Sequence, residues 1–192
     1  LPDLFIDNTL RGQVEGKVVL VTGGSSGIGK ATIHKIAEAG AIAVTIARDG
    51  QQLDATRAEF EAAGLKLITH VVDIASKEQC DAFVKIMDEQ HGGVDILVNN
   101  AGRSIRRGIE NSFDRFHDYE RTMEVNYFGA LRLTMGLLPG MIKKKKGMVV
   151  NISSIGVLTN APRFSAYVAS KAAMDAWTRC AASEFADRHI DF

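Results

Sequence analysis

Short apolar runs rich in β-branched residues recur along the chain, and segments of helix length separate them. The runs occupy residues 17–22, 41–47, 65–73, 94–99 and 147–153, and the longer segments between them occupy residues 28–39, 52–63, 76–90 and 116–142. Runs that are apolar throughout are typical of strands buried on both faces. Because helices join parallel strands by right-handed crossovers, the pattern predicts an α/β fold, a doubly wound Rossmann-type parallel sheet with helices on both faces.

The length of the chain indicates one domain. Of its 192 residues, 46% are hydrophobic, which is enough for a full core. We expect a polar N-terminal arm over residues 1–16 and a single domain over residues 17–192. The chain opens without methionine and ends in a short strand-like segment after a long helix, so we expect the C-terminal part of the fold to be missing from it.

The net charge of the chain and its cysteines limit the classes of binding partner and the cellular compartment that the sequence predicts. Lys plus Arg and Asp plus Glu each number 23, so no net field favours nucleic acid. Cys80 and Cys180 lie far apart in the sequence, as expected in a reducing compartment. No apolar run approaches the roughly 20 residues of a membrane span. We predict a soluble, cytoplasmic protein with no membrane span and no nucleic-acid partner.

The loop after the first strand reads TGGSSGIG over residues 22–29 and opens the first helix of the sheet. A glycine-rich turn at this point binds a dinucleotide pyrophosphate, because the backbone and the helix N-terminus both approach the phosphates. The spacing is G-x-x-x-G-x-G rather than G-x-G-x-x-G, and a purely structural turn is the alternative. We predict the following cofactor-binding residues in this loop: Gly23, Ser25, Ser26, Gly27, Ile28 and Gly29.

The residue after the second strand discriminates between dinucleotides, since an acidic side chain binds the ribose hydroxyls whereas an arginine suits a 2′-phosphate. Arg48 occupies this position and favours NADP(H) over NAD(H). Asp49 follows directly and is able to bind a ribose, so NAD(H) stays open. A solvated loop charge is the alternative for Arg48.

Polar residues follow the fourth and fifth strands, at the edge where open parallel sheets bind ligands. Residues 99–102 read NNAG, whose small side chains leave room for a cofactor ribose, and Ser154 ends the fifth strand. Asn126 lies in the middle of a helical segment, where asparagine is unfavourable and a specific role is expected.

Tyr167 and Lys171 are four residues apart in a helical segment. Residues at this spacing stack on one helix face, so the ammonium is expected near the phenol oxygen, where a cation favours the phenolate. A solvated surface pair is the alternative. In the reducing direction Tyr167 would donate a proton to a carbonyl oxygen while Ser154 bonds the developing oxyanion.

These motifs, TGxxxGIG, NNAG, the helical asparagine, the serine and YxxxK, resemble those of the short-chain dehydrogenase/reductase family in order and spacing, from about Lys17 to the end. The resemblance implies four catalytic residues, Asn126, Ser154, Tyr167 and Lys171. It implies that Asn126 holds a water that relays protons through Lys171, and that Lys171 also bonds the nicotinamide ribose. The further cofactor residues that it implies are Asp73, Ile74, Asn100, Ala101, Gly102 and Tyr167.

The substrate is expected to be an apolar or acyl-chain aldehyde or ketone, interconverted with its alcohol, because apolar residues lie between Ser154 and Tyr167. The chain is most similar to the short-chain reductase domains of fatty acyl-CoA and fatty aldehyde reductases. The resemblance also implies a homodimer or homotetramer, formed by the segment 116–142 and the helix of Tyr167.

Other functions stay open at this point. One is an NAD-dependent alcohol dehydrogenase of the same family, and another is a non-catalytic dinucleotide-binding regulatory or scaffold domain. A serine hydrolase is disfavoured because nothing like G-x-S-x-G surrounds Ser154, and no cluster of residues proposes a metal. The lysine run 143–146 is expected to be a solvated helix end, with an anionic carrier such as coenzyme A as the alternative.

Overall fold

The computed structural model describes residues 3–192, with the side chains of residues 9–192, and is built on a six-stranded parallel sheet. The strand order is β3-β2-β1-β4-β5-β6, so the direction of winding reverses between β1 and β4. This is the predicted doubly wound fold. The strands are β1 Val18–Thr22, β2 Ile42–Ala47, β3 Ile68–Val71, β4 Ile96–Asn99, β5 Gly147–Asn151 and β6 Ile190–Asp191.

Eight α-helices are described around the sheet. They are α1 Asp3–Val14, α2 Gly27–Glu38, α3 Gly50–Ala62, α4 Lys77–His91, α5 His117–Met123, α6 Ala130–Lys144, α7 Gly156–Thr159 and α8 Ser165–Phe185. Most of the expected N-terminal arm is therefore helical, and Leu10 and Val14, one turn apart in α1, pack against the core. The first two residues of that arm lie outside the described residues.

The segment expected to form one long helix over residues 116–142 is divided. A π-helical turn, Glu124–Gly129, joins α5 to α6. Such turns arise where tertiary contacts override the regular helix, often at functional sites. Here a side-chain carbon built on Gly129 would lie 2.7 Å from the Ile74 carbonyl oxygen, so this turn approaches the loop after β3 closely.

Each face of the sheet carries its own core because successive side chains of a strand point to opposite faces. Val19 and Val21 of β1 pack with Ile33 of α2 and Phe60 of α3. Leu20 packs on the other face, with residues of α4 and α6. Both faces of the sheet are covered around β1, and the carboxyl ends of β1, β2, β4 and β5 lie together at one edge of the sheet.

None of the helices within residues 3–192 is long and apolar enough to cross a bilayer.

Candidate active site

The glycine loop makes a tight turn between β1 and α2. Gly23 has a φ of 71°, and its N–H donates to the Ile46 carbonyl oxygen at 2.8 Å. A side-chain carbon on Gly29 would lie 2.4 Å from both the Gly23 carbonyl oxygen and Asn100 Nδ2. Only glycine therefore lets α2 begin this close to β1 and to the loop after β4.

The start of α2 faces open space. A side-chain carbon on Gly27 would meet nothing within 4 Å. Ser26 is the N-cap residue, but its side chain makes no capping hydrogen bond. The first N–H groups of a helix carry partial positive charge, so this uncapped end is suited to a phosphate.

One cavity of about 530 Å³ runs along the carboxyl edge of the sheet from this loop. It brings together every cofactor-binding residue predicted outside α8, and they retain that role as a prediction. These residues are Gly23, Ser25, Ser26, Gly27, Ile28, Gly29, Arg48, Asp73, Ile74, Asn100, Ala101 and Gly102. The cavity also has lining residues that were not predicted: Ile46, Ala47, Gln52, Val72 and Val125.

Arg48 and Asp49 differ in how they are engaged at the far end of this cavity. Asp49 is the N-cap of α3, and its Oδ1 accepts a hydrogen bond from the Gln52 N–H at 3.1 Å. Arg48 is exposed, and no ion pair of the described residues involves it. The sequence indicates this capping role, because an aspartate directly before a helical segment is a typical N-cap residue.

Thr22 ties the glycine loop to the loop after β4, and the sequence reasoning missed this role. Its Oγ1 accepts hydrogen bonds from the N–H groups of Asn100 at 3.0 Å and Ala101 at 2.9 Å. Asn100 Nδ2 in turn donates to the Thr22 carbonyl oxygen at 2.8 Å. A hydroxyl group at the end of a fully buried strand needs hydrogen-bond partners. This requirement is the feature of the sequence that indicates a role for Thr22.

Asn126 lies in the π-helical turn and is 2% exposed. Its Oδ1 accepts from the Arg103 N–H at 2.7 Å, and its Nδ2 donates to the Arg103 carbonyl oxygen at 2.8 Å and to Ser170 Oγ at 2.9 Å. The asparagine thus joins three elements: the loop after β4, the π-helical turn and α8. Both amide N–H groups are used, and one lone pair of Oδ1 remains for a water.

Lys171 is buried in α8, at 6% exposure, and its Nζ donates to the Ile152 carbonyl oxygen at 2.6 Å. Burial lowers the pKa of this ammonium below its ordinary value. A side-chain carbon built on Gly102 would lie 3.3 Å from Asn126 Oδ1 and 3.6 Å from Lys171 Nζ. Gly102 lines the cavity of about 530 Å³, so Asn126 and Lys171 stand directly behind that wall.

Tyr167 and Ser154 lie on the neighbouring part of the edge. Tyr167 is half-buried one turn before Lys171, and its ring meets the edge of Phe164 with centroids 6.5 Å apart. Ser154 Oγ accepts from the Gly156 N–H at 3.1 Å. The serine lines a recess of about 420 Å³ with Ile155, Val157 and Leu158.

A cleft of about 430 Å³ runs along β5 and adjoins the recess of Ser154. Ser153 and Asp175 line both this cleft and the recess of Ser154. Lys171 lines the cleft but not the recess. Lys171 therefore lies beside the recess of Ser154 and near Asn126, and the catalytic role of these residues and of Tyr167 stays a prediction. No group of three or more His, Cys, Asp or Glu side chains in the described part of the chain is arranged to hold a metal ion.

Comparison with known sequences gives the family. The profile of the family described as short chain dehydrogenase matches residues 17–192. A fatty acyl-CoA reductase of Acinetobacter baylyi is 50% identical over 179 residues, which are 93% of this chain and 61% of the relative. The chain thus spans about three fifths of the length of that relative.

Two solved structures share the fold and carry different dinucleotides. A metagenomic short-chain oxidoreductase in complex with NADP is 31% identical with a TM-score of 0.86, over 92% of this chain and 79% of that one. NAD⁺-bound xylitol dehydrogenase is 29% identical with a TM-score of 0.85, over 92% of this chain and 67% of that one. Taken with the matching profile, these likenesses show that the chain belongs to the short-chain dehydrogenase/reductase family.

Proposed function

We propose that the protein is an NADP(H)-dependent oxidoreductase that interconverts an aldehyde or ketone with its alcohol, with Tyr167 as the acid–base group. The observation that carries the proposal is the position of Gly102. This residue lines the dinucleotide cavity, and a carbon built on it would touch Asn126 and approach Lys171. A cofactor in the cavity would thus lie against two of the residues proposed for catalysis, Asn126 and Lys171.

The residues of the cavity fit a dinucleotide. The open space beside Gly27 and the uncapped start of α2 suit the pyrophosphate. Asp73 and Ile74 would meet the adenine, and residues 100–102 would line the ribose of the nicotinamide. A bound nicotinamide dinucleotide supplies the hydride in this chemistry.

Residues of the chain would transfer the proton and stabilise the negative charge that develops on the carbonyl oxygen. The Tyr167 hydroxyl would donate its proton to the carbonyl oxygen, and in the oxidising direction the phenolate would accept it from the alcohol. Ser154 would donate a hydrogen bond to the same oxygen. Lys171 uses one N–H on the Ile152 carbonyl oxygen, which leaves two for the ribose and for the proton path through a water at Asn126.

The proposed substrate carries an apolar or acyl chain. Ile155 and Leu158, beside Ser154, are 71% and 79% exposed. Exposed apolar side chains beside a reaction centre favour an apolar ligand, because contact with it removes their surface from water. The name of the similar fatty acyl-CoA reductase agrees with this substrate class.

NADP(H) is the proposed cofactor because Arg48 is exposed on the cavity wall without an ion-pair partner among the described residues, while Asp49 caps α3. Arg48→Asp should weaken NADPH binding at least about tenfold more than NADH binding, by removing a phosphate partner and adding repulsion. Lys66→Asp, which makes the same charge change at another exposed position, should leave the ratio unchanged. Equal losses for both cofactors in Arg48→Asp would favour the NAD-dependent alternative.

The function is tested by following NADPH and NADH oxidation by the full chain against aldehydes and ketones of increasing chain length. We expect turnover that is faster with NADPH and rises with the length of the apolar chain. Dinucleotide binding without turnover on the whole panel would instead support a regulatory or scaffold domain.

Assembly through the π-helical turn and α6 is also proposed. Phe128, Met135 and Ile142 are spaced by seven residues, and they are 43%, 55% and 37% exposed. Side chains at this spacing form one stripe along a helix, which suits packing against the same helix of a second copy in a dimer or tetramer. Sedimentation should show an oligomer that Met135→Glu weakens, and a monomer at micromolar concentration would contradict it.

A further inference from the structure

The helix that carries Tyr167 begins without a capping side chain. α8 starts at Ser165, so Tyr167 lies in its first turn, and Phe164 in the N-cap position makes no side-chain hydrogen bond to it. The Val168 N–H donates to the Phe164 carbonyl oxygen at 2.8 Å and closes that turn. Uncapped helix ends open more readily than helix interiors. The position of Tyr167 therefore depends on contacts that come from outside α8.

The turn before α8 needs such contacts as well. Asn160 and Arg163 have φ values of 50° and 69°, in the left-handed region that is uncommon outside glycine. Residues stay in this region where the surrounding structure holds them. One such contact comes from the loop after β4, where the Arg107 N–H donates to the Arg163 carbonyl oxygen at 2.7 Å.

α5 supplies a second contact, to the first residue of α8. The Tyr119 hydroxyl and Ser165 Oγ form a hydrogen bond of 3.0 Å, in which either group is able to donate. The Tyr119 ring stacks on that of Phe116, with centroids 6.0 Å apart. Tyr119 is thus oriented within its own helix, and its hydroxyl reaches α8 two residues before Tyr167.

The region around α5 is itself anchored. The buried Asp118 accepts hydrogen bonds at Oδ2 from Arg107 Nε at 3.0 Å and from Arg115 Nε at 3.4 Å. Arg107 is therefore held by Asp118 through its side chain and holds Arg163 through its backbone. The two contacts with residues 163–165 come from one connected set of residues on and beside α5.

We propose that Tyr119 is a positioning residue, whose hydrogen bond with Ser165 fixes the first turn of α8 and so aligns the Tyr167 hydroxyl with the reacting carbonyl oxygen. The proposal rests on the proposed function, in which Tyr167 transfers the proton. Proton transfer requires the two oxygens at hydrogen-bond distance, and a small displacement of either group lowers the rate steeply. Tyr119 acts through α8 and does not contact the substrate.

The first test measures the order of α8 without turnover, by hydrogen exchange of the Val168 amide in the full chain. Tyr119→Phe keeps the ring and its stacking on Phe116 but removes the hydroxyl. This variant and Ser165→Ala should each speed the exchange about fivefold, and the double variant should be no faster than either, because the three lack the same bond. Tyr127→Phe is the matched control, since the Tyr127 hydroxyl has no hydrogen-bond partner in the described part of the chain, and it should change nothing.

The second test asks whether Tyr119 acts through Tyr167. In single-turnover NADPH oxidation with a saturating carbonyl substrate, Tyr119→Phe should lower the rate about fivefold and leave NADPH affinity unchanged. Added to Tyr167→Phe, the same change should lower the residual rate no further, because no phenol proton remains to be aligned. A residue that only supports the fold would lower the rate in both backgrounds.

Three results would overturn the proposal: unchanged Val168 exchange in Tyr119→Phe, an unchanged rate in that variant, and an equal loss of rate in the presence and absence of the Tyr167 hydroxyl. Failure of the proposed function would look different, because the unaltered protein would then reduce no carbonyl compound. The exchange measurements would still decide whether Tyr119 holds the start of α8.

Discussion

The glycine-loop side of the site, residues 22–29 and 99–102, is closely packed at Gly24 and Gly29, whereas the proposed substrate side, residues 103–116 and 153–164, presents exposed side chains. On the first side, a carbon on Gly24 would lie 2.2 Å from Thr45 Oγ1, and one on Gly29 would lie 2.4 Å from the Gly23 carbonyl oxygen. On the second, Phe113 and Leu158 are 84% and 79% exposed.

This difference separates two tasks within one fold. At Gly24 and Gly29 the glycine-loop side leaves no room for an added atom, so the chain itself fixes its shape there. The proposed substrate side consists of loops and the short helix α7, and its exposed side chains are free to vary without disturbing the sheet. Changes at Gly24 and Gly29 should therefore alter cofactor binding and stability together, and changes of exposed apolar side chains on the proposed substrate side should alter substrate selection alone.

Lys171 stands where the two sides meet, and its replacement should have the largest effect. Lys171→Met should lower turnover at least about a hundredfold, because the cation beside the proton path is lost. It should also weaken NADPH binding, since a donor to the ribose is removed. Steady-state kinetics and NADPH titration measure these two losses.

Stability separates this role from a structural one. Burial lowers the pKa of Lys171, so between the folded and unfolded pKa values the unfolded chain binds more protons and stability rises with pH. Lys171→Met should remove that rise and change the free energy of unfolding at pH 7 by less than about 1 kcal/mol. A variant that loses activity only because it unfolds would contradict the assignment.

Gly29→Ala tests the packed side, with a smaller expected effect. The added methyl group would be forced against the Gly23 carbonyl oxygen, so NADPH binding should weaken about thirtyfold and stability should fall by about 2 kcal/mol. Gly12→Ala is the control, because a carbon there meets nothing within 4 Å. Unchanged NADPH affinity in Gly29→Ala would remove the contrast between the two sides.

Changes of Ile155 and Leu158, the exposed apolar residues beside Ser154, should give the smallest effect. Ile155→Ser/Leu158→Ser should lower kcat/KM for a long-chain aldehyde about tenfold, because it removes apolar surface that the chain would cover. A short aldehyde should be affected less, and NADPH affinity should stay the same. An equal loss for short and long aldehydes would show that these side chains do not select the chain.

The same contrast decides what could be predicted from the sequence. The glycine loop, Arg48 and Gly102 were predictable because their positions follow from strand ends and local spacing. The bonds of Thr22 and of Asn126 with Ser170 were not, since they depend on which loops meet across the sheet. The π-helical turn was missed because its contacts are tertiary.

The central claim, that Tyr167 is the acid–base group of a carbonyl reductase, is tested most directly by Tyr167→Phe. This change keeps the ring and its contact with Phe164 but removes the transferable proton. The measurement is single-turnover NADPH oxidation with a carbonyl substrate, together with NADPH titration of the same variant. We predict a rate at least about a hundredfold lower and NADPH affinity within about twofold of the unaltered protein. A Tyr167→Phe variant that reduces the substrate at the unaltered rate would contradict the claim.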